Sequence, residues 1–231
     1  MMLISIFDVA GPIMVGPSSS HTAGACKIGQ IARALFNGTP TQADFYLYGS
    51  FATVYQGHAT DKALLAGVMK FQTSDPRLPK AFEIAQKKGI KYKFIPLKIN
   101  ASEHHPNTVR IILKNKNRSI SVVGSSIGGG KIKITFINDV PVDLEMIAGR
   151  FFSILIGHDS KPENVLHPLY GQLVDWDIPI HGKQTICAVR GKHRCLTALN
   201  IEDSYLTLSQ VLMLEKLPGI EFVRSLTKLN K

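Results

Sequence analysis

The segment Gly11–Gly24, GPIMVGPSSSHTAG, most restricts how this chain can fold. Its two Gly-Pro steps force a tight, non-regular backbone. An apolar pattern at helical spacing, with Ile28, Ile31 and Leu35, follows directly. The sequence therefore predicts a polar loop that ends at a helix N-terminus. Such a terminus offers unpaired N–H groups and a partial positive charge, which bind carboxylates and phosphates.

This loop contains more hydroxyl groups than helix capping requires. One Ser or Thr is enough for an N-cap, whereas Ser18, Ser19, Ser20 and Thr22 surround His21. We therefore favour a ligand site over a simple cap. A hydrolase-type Ser–His pair is disfavoured, because the G-x-S-x-G motif is missing and Ser20 and His21 are sequence neighbours.

The composition excludes several classes of protein. With 45% hydrophobic and 19% charged residues among 231, the chain is globular in composition rather than disordered. We expect a cytoplasmic protein without a membrane segment, because no stretch approaches the roughly 20 apolar residues that span a bilayer and the N-terminus lacks a basic n-region. The net charge of +10 is spread along residues 87–93, 114–118 and 131–133 without a nucleic-acid motif. This distribution indicates a solvated face, or a surface for an acidic partner subunit.

The chain has three cysteines, Cys26, Cys187 and Cys195, which is typical of a reducing compartment rather than a disulfide framework. Cys187 and Cys195 stand eight positions apart without a second close pair, so the chain contains no zinc or cluster motif. We interpret the cysteines as small buried hydrophobic residues. Any metal that the protein uses is expected to come from elsewhere.

The order of elements predicts an α+β chain with two domains. Residues 1–142 form a domain of mixed α and β, with helices after the serine loop, near Thr60 and over residues 78–88. Strands are indicated at LISIF, DFYLY, IKYKFI, VRIILK, SISVVG and KIKITFI. The segment DVPVDLEM, residues 139–146, is interpreted as a connector.

Residues 148–231 are predicted to form a second domain in the order β-α-β-β-α-β. The strands are FFSILIG, then TICAVR and RCLTALN joined at Gly191-Lys192, and finally IEFVRSL. Helices are indicated over residues 165–174 and over Tyr205–Leu217. This is the ferredoxin-like arrangement. Its length and order resemble an ACT domain, a small regulatory and pairing module of amino-acid metabolism.

Three further motifs contain candidate functional residues. In YGSFATVYQGHATDKALL, His58 stands just before a capped helix, where a neutral imidazole is suited to accept a proton. A purely structural histidine is the alternative. In HHPNT, Pro106 fixes a turn and Asn107 can cap or contact a ligand. In SSIGGGKI, the three glycines form either an anion-binding backbone nest or a hairpin turn.

One enzyme family has the same motifs in the same order. The chain closely resembles the β subunit of the bacterial iron–sulfur-dependent L-serine dehydratase in FDVAGPIMVGPSSSHTAG, LYGSFATVYQGHATDKALL, HPNTVRI and SIGGGKI. The resemblance covers the first domain almost end to end, and the ACT-like second half agrees with the two-chain form of the family. It implies β-elimination of water from L-serine to give pyruvate and ammonia. It also implies a [4Fe-4S] cluster that is held by cysteines of an α subunit and acts as a Lewis acid at the α–β interface.

The resemblance also implies roles for individual residues. His58 matches the histidine that removes the α-proton, although the family usually has glycine where Ala59 stands. His21 lies in the segment that faces the substrate and orients it or assists proton transfer. His58 and His21 are therefore the catalytic candidates, and no residue of this chain is expected to bind a metal. The substrate-binding candidates are Ser18, Ser19, Ser20, Thr22, His105, Asn107, Gly128 and Gly129.

The second domain departs from the ACT pattern. ACT domains often carry an Asp-x-Pro-Gly-like turn after the first strand, whereas Asp159–Glu163 contains no glycine to permit close ligand approach. We therefore expect it to serve pairing or subunit docking in a homo- or hetero-oligomer. Two alternatives remain open: a non-catalytic module that senses an amino acid or another anion, and a basic nucleic-acid binder. His58 favours catalysis, because a sensor needs no base.

Overall fold

The chain is an α+β protein with two sheets in the computed structural model. The structure describes residues 13–97, 105–146, 152–159, 162–187, 195–201 and 206–226. Two compact units are formed, and the division between them falls at residues 139–148. The predicted strand LISIF, the Gly11-Pro12 step and the Gly191-Lys192 turn lie outside the described residues.

The first unit begins with a π-helical turn, Ser19–Gly24, that runs without a break into the first α-helix. Its helices are α1 (Ala25–Phe36), α2 (Gly49–Val54), α3 (Thr60–Val68) and α4 (Ala81–Lys87), with a 3-10 turn at Leu78–Lys80. Its strands are β1 (Gln42–Leu47), β2 (Lys91–Pro96), β3 (Thr108–Lys114), β4 (Ser119–Gly128), β5 (Lys131–Ile137) and β6 (Val140–Met146). The sequence Asn37-Gly38 predicts a stop after the first helix, and this is confirmed, because Asn37 caps α1 in the left-handed conformation. Helix α2 was not predicted.

The six strands form one sheet in the order β2-β1-β3-β4-β5-β6. β1 pairs with β2 in parallel, and β1, β3, β4 and β5 pair successively as antiparallel neighbours. One face of the sheet is apolar and buries Ala43, Phe45, Leu47, Val109, Ile111 and Leu113. Helix α1 packs on this face, because a Cβ at Gly124 of β4 would lie 3.0 Å from Cγ2 of Ile28.

Two glycines let α1 and α3 approach closely. A Cβ on Gly29 of α1 would lie 2.4 Å from the carbonyl oxygen of Leu64, and one on Gly67 of α3 would lie 2.0 Å from that of Cys26. Backbone therefore packs against backbone, which only glycine permits at these positions. This close crossing of α1 and α3 fixes the position of one helix relative to the other.

Residues 139–146 do not form the predicted connector. Val140–Met146 is β6, the strand at one end of the sheet. Val140 and Val142 are buried on either side of the exposed Pro141, which is the alternation of a half-buried strand. Pro141 obscured this pattern in the sequence. The proline is tolerated because a strand at the sheet edge does not need every N–H group for pairing.

The second unit has the predicted order of six elements. They are β7 (Phe152–His158), α5 (Pro162–Asp175), β8 (Ile180–Cys187), β9 (Cys195–Ile201), α6 (Leu208–Leu214) and β10 (Ile220–Leu226). The sheet order is β10-β7-β9-β8, with every neighbouring pair antiparallel. Residues of both helices and the sheet share one core, including Ile156, Leu169, Leu199 and Leu214. None of the helices in the described part of the chain has the length and apolar character needed to cross a bilayer.

The cysteines of the second unit are not two separate buried hydrophobic residues. Cys187 and Cys195 lie opposite each other on β8 and β9 and are joined by a disulfide, and Cys187 is exposed. The prediction failed because the pairing depends on the register of the two strands rather than on local spacing. Cys26 is buried as predicted, and its thiol donates to the carbonyl oxygen of Phe71.

Candidate functional site

The serine loop places its first hydroxyl at the start of the π-helical turn. Ser18 has an extended backbone, and its Oγ accepts a hydrogen bond from the backbone N–H of His21 at 3.1 Å. The backbone N–H of Thr22 donates to the Ser18 carbonyl at 2.8 Å. One serine therefore serves as the N-cap, and the cap does not account for Ser19 and Ser20, which are half-buried.

The imidazole of His21 contacts the serine loop and α2. Its Nε2 is 3.0 Å from Oγ of Ser50 at the start of α2, and its Nδ1 is 3.5 Å from Oγ of Ser18. The edge of the Phe51 ring packs against it, with centroids 5.4 Å apart. Burial lowers the pKa of His21, and the neighbouring His58 lowers this pKa further. His21 is therefore neutral at neutral pH.

His58 lies beside His21, as the motifs predict for two residues of one site. The centroids of the two rings are 4.9 Å apart. The His58 carbonyl accepts a hydrogen bond from the hydroxyl of Thr22 at 3.2 Å, which ties the turn before α3 to the serine loop. Nδ1 of His58 is buried and has no hydrogen-bond partner among the described residues.

Other buried polar atoms of the same motifs also lack partners. Among the described residues, six buried side-chain nitrogen or oxygen atoms have none. Besides His58 Nδ1, they include Thr60 Oγ1, Asn107 Oδ1 and Ser126 Oγ. Four of the six therefore come from three of the four motifs singled out in the sequence. Buried polar groups are normally satisfied, so these atoms indicate a place where a ligand or water completes the site.

The HPNT and SSIGGG motifs meet where β3 begins and β4 ends. The hydroxyl of Thr108 is 2.7 Å from that of Ser125 and donates to the His105 carbonyl at 2.6 Å. The backbone N–H of Ser126 donates to the carbonyl of Asn107 at 2.9 Å. Ser126 also abuts the serine loop, because a Cβ on Gly24 would lie 2.1 Å from its Oγ. Asn107 and Ser126 are thus neighbours next to the π-helical turn.

The three consecutive glycines form the hairpin turn between β4 and β5. Gly128, Gly129 and Gly130 have φ values of +107°, +58° and +74°. A Cβ on Gly128 would meet nothing within 4 Å, so backbone conformation rather than crowding requires glycine there. Ligand binding by Gly128 and Gly129 stays a prediction.

Known proteins share these motifs. The family model for the serine dehydratase beta chain matches residues 5–135, which include all four motifs. The chain is 44% identical over 157 residues to a probable L-serine dehydratase beta chain of Bacillus subtilis, covering 68% of this chain and 69% of that one. It is 43% identical over 158 residues to the L-serine dehydratase beta chain of Peptoniphilus asaccharolyticus, with the same coverage of 68% and 69%.

The chain belongs to the serine dehydratase β-chain family. The resemblance that the motifs indicate is thereby confirmed. A longer relative, L-serine dehydratase TdcG of Escherichia coli, is 31% identical over 152 residues, which cover 56% of this chain and 33% of that one. The roles of individual residues in this β-chain family member stay predictions.

Sequence reasoning missed three residues of the site. Ser50, Phe51 and Ser126 all stand inside motifs of the β-chain family, YGSFAT and SSIGGG. Ser50 and Phe51 were missed because Gly49-Ser50 reads as the end of a strand, whereas Gly49 begins the short helix α2. Ser126 was missed because β-strand periodicity alone does not show which buried hydroxyl lacks a partner.

In the part of the chain that the structure describes, the side chains do not fit an iron–sulfur cluster. Among the described residues, no group of three or more His, Cys, Asp or Glu side chains is placed to hold a metal ion. The thiol of Cys26 donates to a carbonyl, and Cys187 and Cys195 bind each other. The three cysteines are thus not grouped as a cluster ligated by cysteine thiolates requires.

The turn after His58 contains a residue in an unfavourable backbone conformation. Ala59 has φ 55° and ψ 27°, the left-handed region, where a Cβ costs about 1 kcal/mol or more. We expect Ala59→Gly to change the free energy of unfolding by less than about 0.5 kcal/mol, because relief of this strain offsets the greater backbone freedom of glycine in the unfolded chain. Urea unfolding measures this. The control, Ala52→Gly in the right-handed helix α2, should lose about 1 kcal/mol. Equal losses in the two variants would contradict the strained conformation.

Proposed function

We propose that this chain is the β subunit of an L-serine ammonia-lyase, which converts L-serine to pyruvate and ammonia together with an α chain that carries a [4Fe-4S] cluster. The observation that supports this most is the pair of adjacent imidazoles, His21 and His58, with their ring centroids 4.9 Å apart. Buried polar atoms without a partner among the described residues belong to motifs of the same family. The substrate, L-serine, is inferred from the names of the related β chains.

His58 is the proposed base that removes the proton from Cα of serine. A base must be unprotonated before reaction and must tolerate a positive charge afterwards. The neighbouring His21 has a lowered pKa and remains neutral. Because it adds no positive charge, an imidazolium at His58 meets no like charge from that ring.

The serine loop is the proposed site for the carboxylate of the substrate. The π-helical turn and α1 are continuous, so Ser18–Thr22 stand at the N-terminal end of a long helical segment. Hydroxyls of Ser19 and Ser20 are outside the cap and can donate to the ligand. We propose that Oδ1 of Asn107, which is buried and has no partner among the described residues, accepts a hydrogen bond from the ammonium group of the substrate. His105, Gly128 and Gly129 complete the proposed binding set.

The partner chain is proposed to hold the cluster, because the described cysteines and histidines of this chain do not form a ligand group. When bound, the cluster supplies a Lewis acid for the departing hydroxyl. The β chain then provides the base and the carboxylate site, so neither chain is active alone. The dispersed excess of positive charge fits a surface for an acidic partner subunit.

The second unit is proposed to be an ACT-type domain over residues 148–231, after a catalytic domain over residues 1–142. The order β-α-β-β-α-β and the sheet order β10-β7-β9-β8 support a ferredoxin-like arrangement. Asp159 directly follows its first strand, and Asp159–Glu163 contains no glycine. We therefore assign it pairing or subunit docking rather than amino-acid binding, in a cytoplasmic oligomer.

Anaerobic co-expression with a serine dehydratase α chain tests the proposed function. We expect pyruvate to form from L-serine only when both chains are present, while either chain alone and D-serine give background rates. Lactate dehydrogenase coupling measures the pyruvate, and absorbance of the purified complex confirms the cluster. Pyruvate formation by the α chain alone at the full rate would refute the proposal. So would an inactive complex that contains both chains and an intact cluster.

A further inference from the structure

We propose that Ser50 is a positioning residue, whose hydroxyl holds the His21 ring in one orientation. The basis is the distance of 3.0 Å between Ser50 Oγ and His21 Nε2, which joins α2 to the serine loop. The consequence for turnover rests on the proposed function, in which His21 faces the substrate. The effect on the imidazole itself does not depend on that function.

Ser50 is fixed against the sheet rather than carried on a loose loop. Gly49 has φ +53°, and a Cβ there would lie 2.7 Å from the carbonyl oxygen of Pro106. The same carbonyl accepts a hydrogen bond from the backbone N–H of Phe51 at 3.2 Å. The Phe51 side chain is fully buried, with 0% exposure. The backbone on both sides of Ser50 therefore packs on the turn before β3.

The Ser50 contact is the shorter of the two hydroxyl contacts to the His21 ring. Ser18 Oγ is 3.5 Å from Nδ1, and it already accepts the backbone N–H of His21 at 3.1 Å. A serine hydroxyl can donate or accept, so Ser50 and Ser18 can bond to the ring in either tautomer, and the two contacts fix its orientation. Without the Ser50 hydroxyl, the described residues retain the longer contact from Ser18 as the hydroxyl contact to the ring.

This arrangement predicts a specific defect for Ser50→Ala. The substitution removes one half-buried hydroxyl and leaves the buried Phe51 anchor in place, so the chain should fold. We expect kcat to fall about tenfold, a loss similar to that caused by removing partners that orient metal-bound histidines. KM should stay within about twofold, because Ser50 acts through His21 and does not itself contact substrate in this proposal.

The experiment compares Ser50→Ala, Ser50→Thr and Thr53→Ala in the full chain. Thr53 is the matched control, because its exposed hydroxyl belongs to the same helix and, among the described residues, donates to the carbonyls of Gly49 and Ser50. Nitrogen-15 NMR of the imidazoles measures the chemical shift of His21 Nε2, which responds to its hydrogen bond, and His21→Gln identifies the His21 signals. Steady-state kinetics with the α chain measure kcat and KM.

We expect the same His21 Nε2 shift in the wild type, Ser50→Thr and Thr53→Ala, and a different shift in Ser50→Ala together with the loss of kcat. An unchanged Nε2 shift in Ser50→Ala would overturn the proposal, as would an unchanged kcat. The same holds if Ser50→Thr behaves like Ser50→Ala, or if Thr53→Ala shows the same defect. A wild-type complex without activity would refute the proposed function instead, while the NMR comparison would still decide the role of Ser50.

Discussion

Replacing His58 with Gln is expected to lower serine-dependent pyruvate formation by about a hundredfold or more, the range found when a general base is removed. Glutamine retains a polar group of similar size but cannot accept the α-proton. The loss should fall on kcat more than on KM, because the proton moves only in the reaction. Steady-state kinetics of the reconstituted α–β complex measure both constants.

The fold should tolerate this substitution. Nδ1 of His58 has no hydrogen-bond partner among the described residues, and the ring is only half-buried. The cluster absorbance of the complex should equal that of the wild type. His167→Gln is the matched control, because His167 is exposed on α5 and should leave turnover unchanged. Retention of most of the wild-type kcat by His58→Gln, in a complex with full cluster content, would reject His58 as the base.

The sequence predicted those parts of the fold that depend on local pattern. The helix after the serine loop and the six elements of the second unit follow from apolar periodicity and from turn residues. The proximity of His21 to His58 was also predicted, although only through the resemblance to a family. Local spacing cannot place two histidines that are 37 positions apart in the chain.

The features that sequence reasoning missed depend on contacts between distant segments. Cys187 and Cys195 pair because β8 and β9 adopt one register, which spacing does not specify. β6 was missed because Pro141 hides an edge strand whose place in the sheet only the topology shows. Ser50 lies in the site because Gly49 turns the chain against Pro106, which stands more than 50 positions later in the sequence.

The crossing of α1 and α3 explains how two distant motifs form one site. The π-helical turn with His21 leads directly into α1, and α3 begins at Thr60, just after His58. The separation of the imidazoles therefore depends on the separation of the two helices. Gly29 and Gly67 set that separation through contact of backbone with backbone.

Gly67→Ala is therefore expected to affect both stability and activity. The new Cβ would lie 2.0 Å from the Cys26 carbonyl oxygen and 2.9 Å from the Gln30 nitrogen. Both are backbone atoms of α1, so no side-chain rotation can relieve the clash and the helices must move apart. We expect the free energy of unfolding to fall by about 2–3 kcal/mol, the cost of overpacking a core. Urea unfolding followed by circular dichroism measures this loss.

The effect on activity should exceed what the loss of stability alone explains. A displacement near 1 Å at a reacting group can cost about a hundredfold in rate, and His21 moves with α1 while His58 moves with α3. Kinetics at a temperature where the variant complex is folded should therefore show a lowered kcat. Gly171→Ala is the control, because a Cβ there meets nothing within 4 Å, and alanine in a helix should stabilise the chain by up to about 1 kcal/mol. Wild-type stability and turnover in Gly67→Ala would show that the two halves of the site are held together by something other than this crossing.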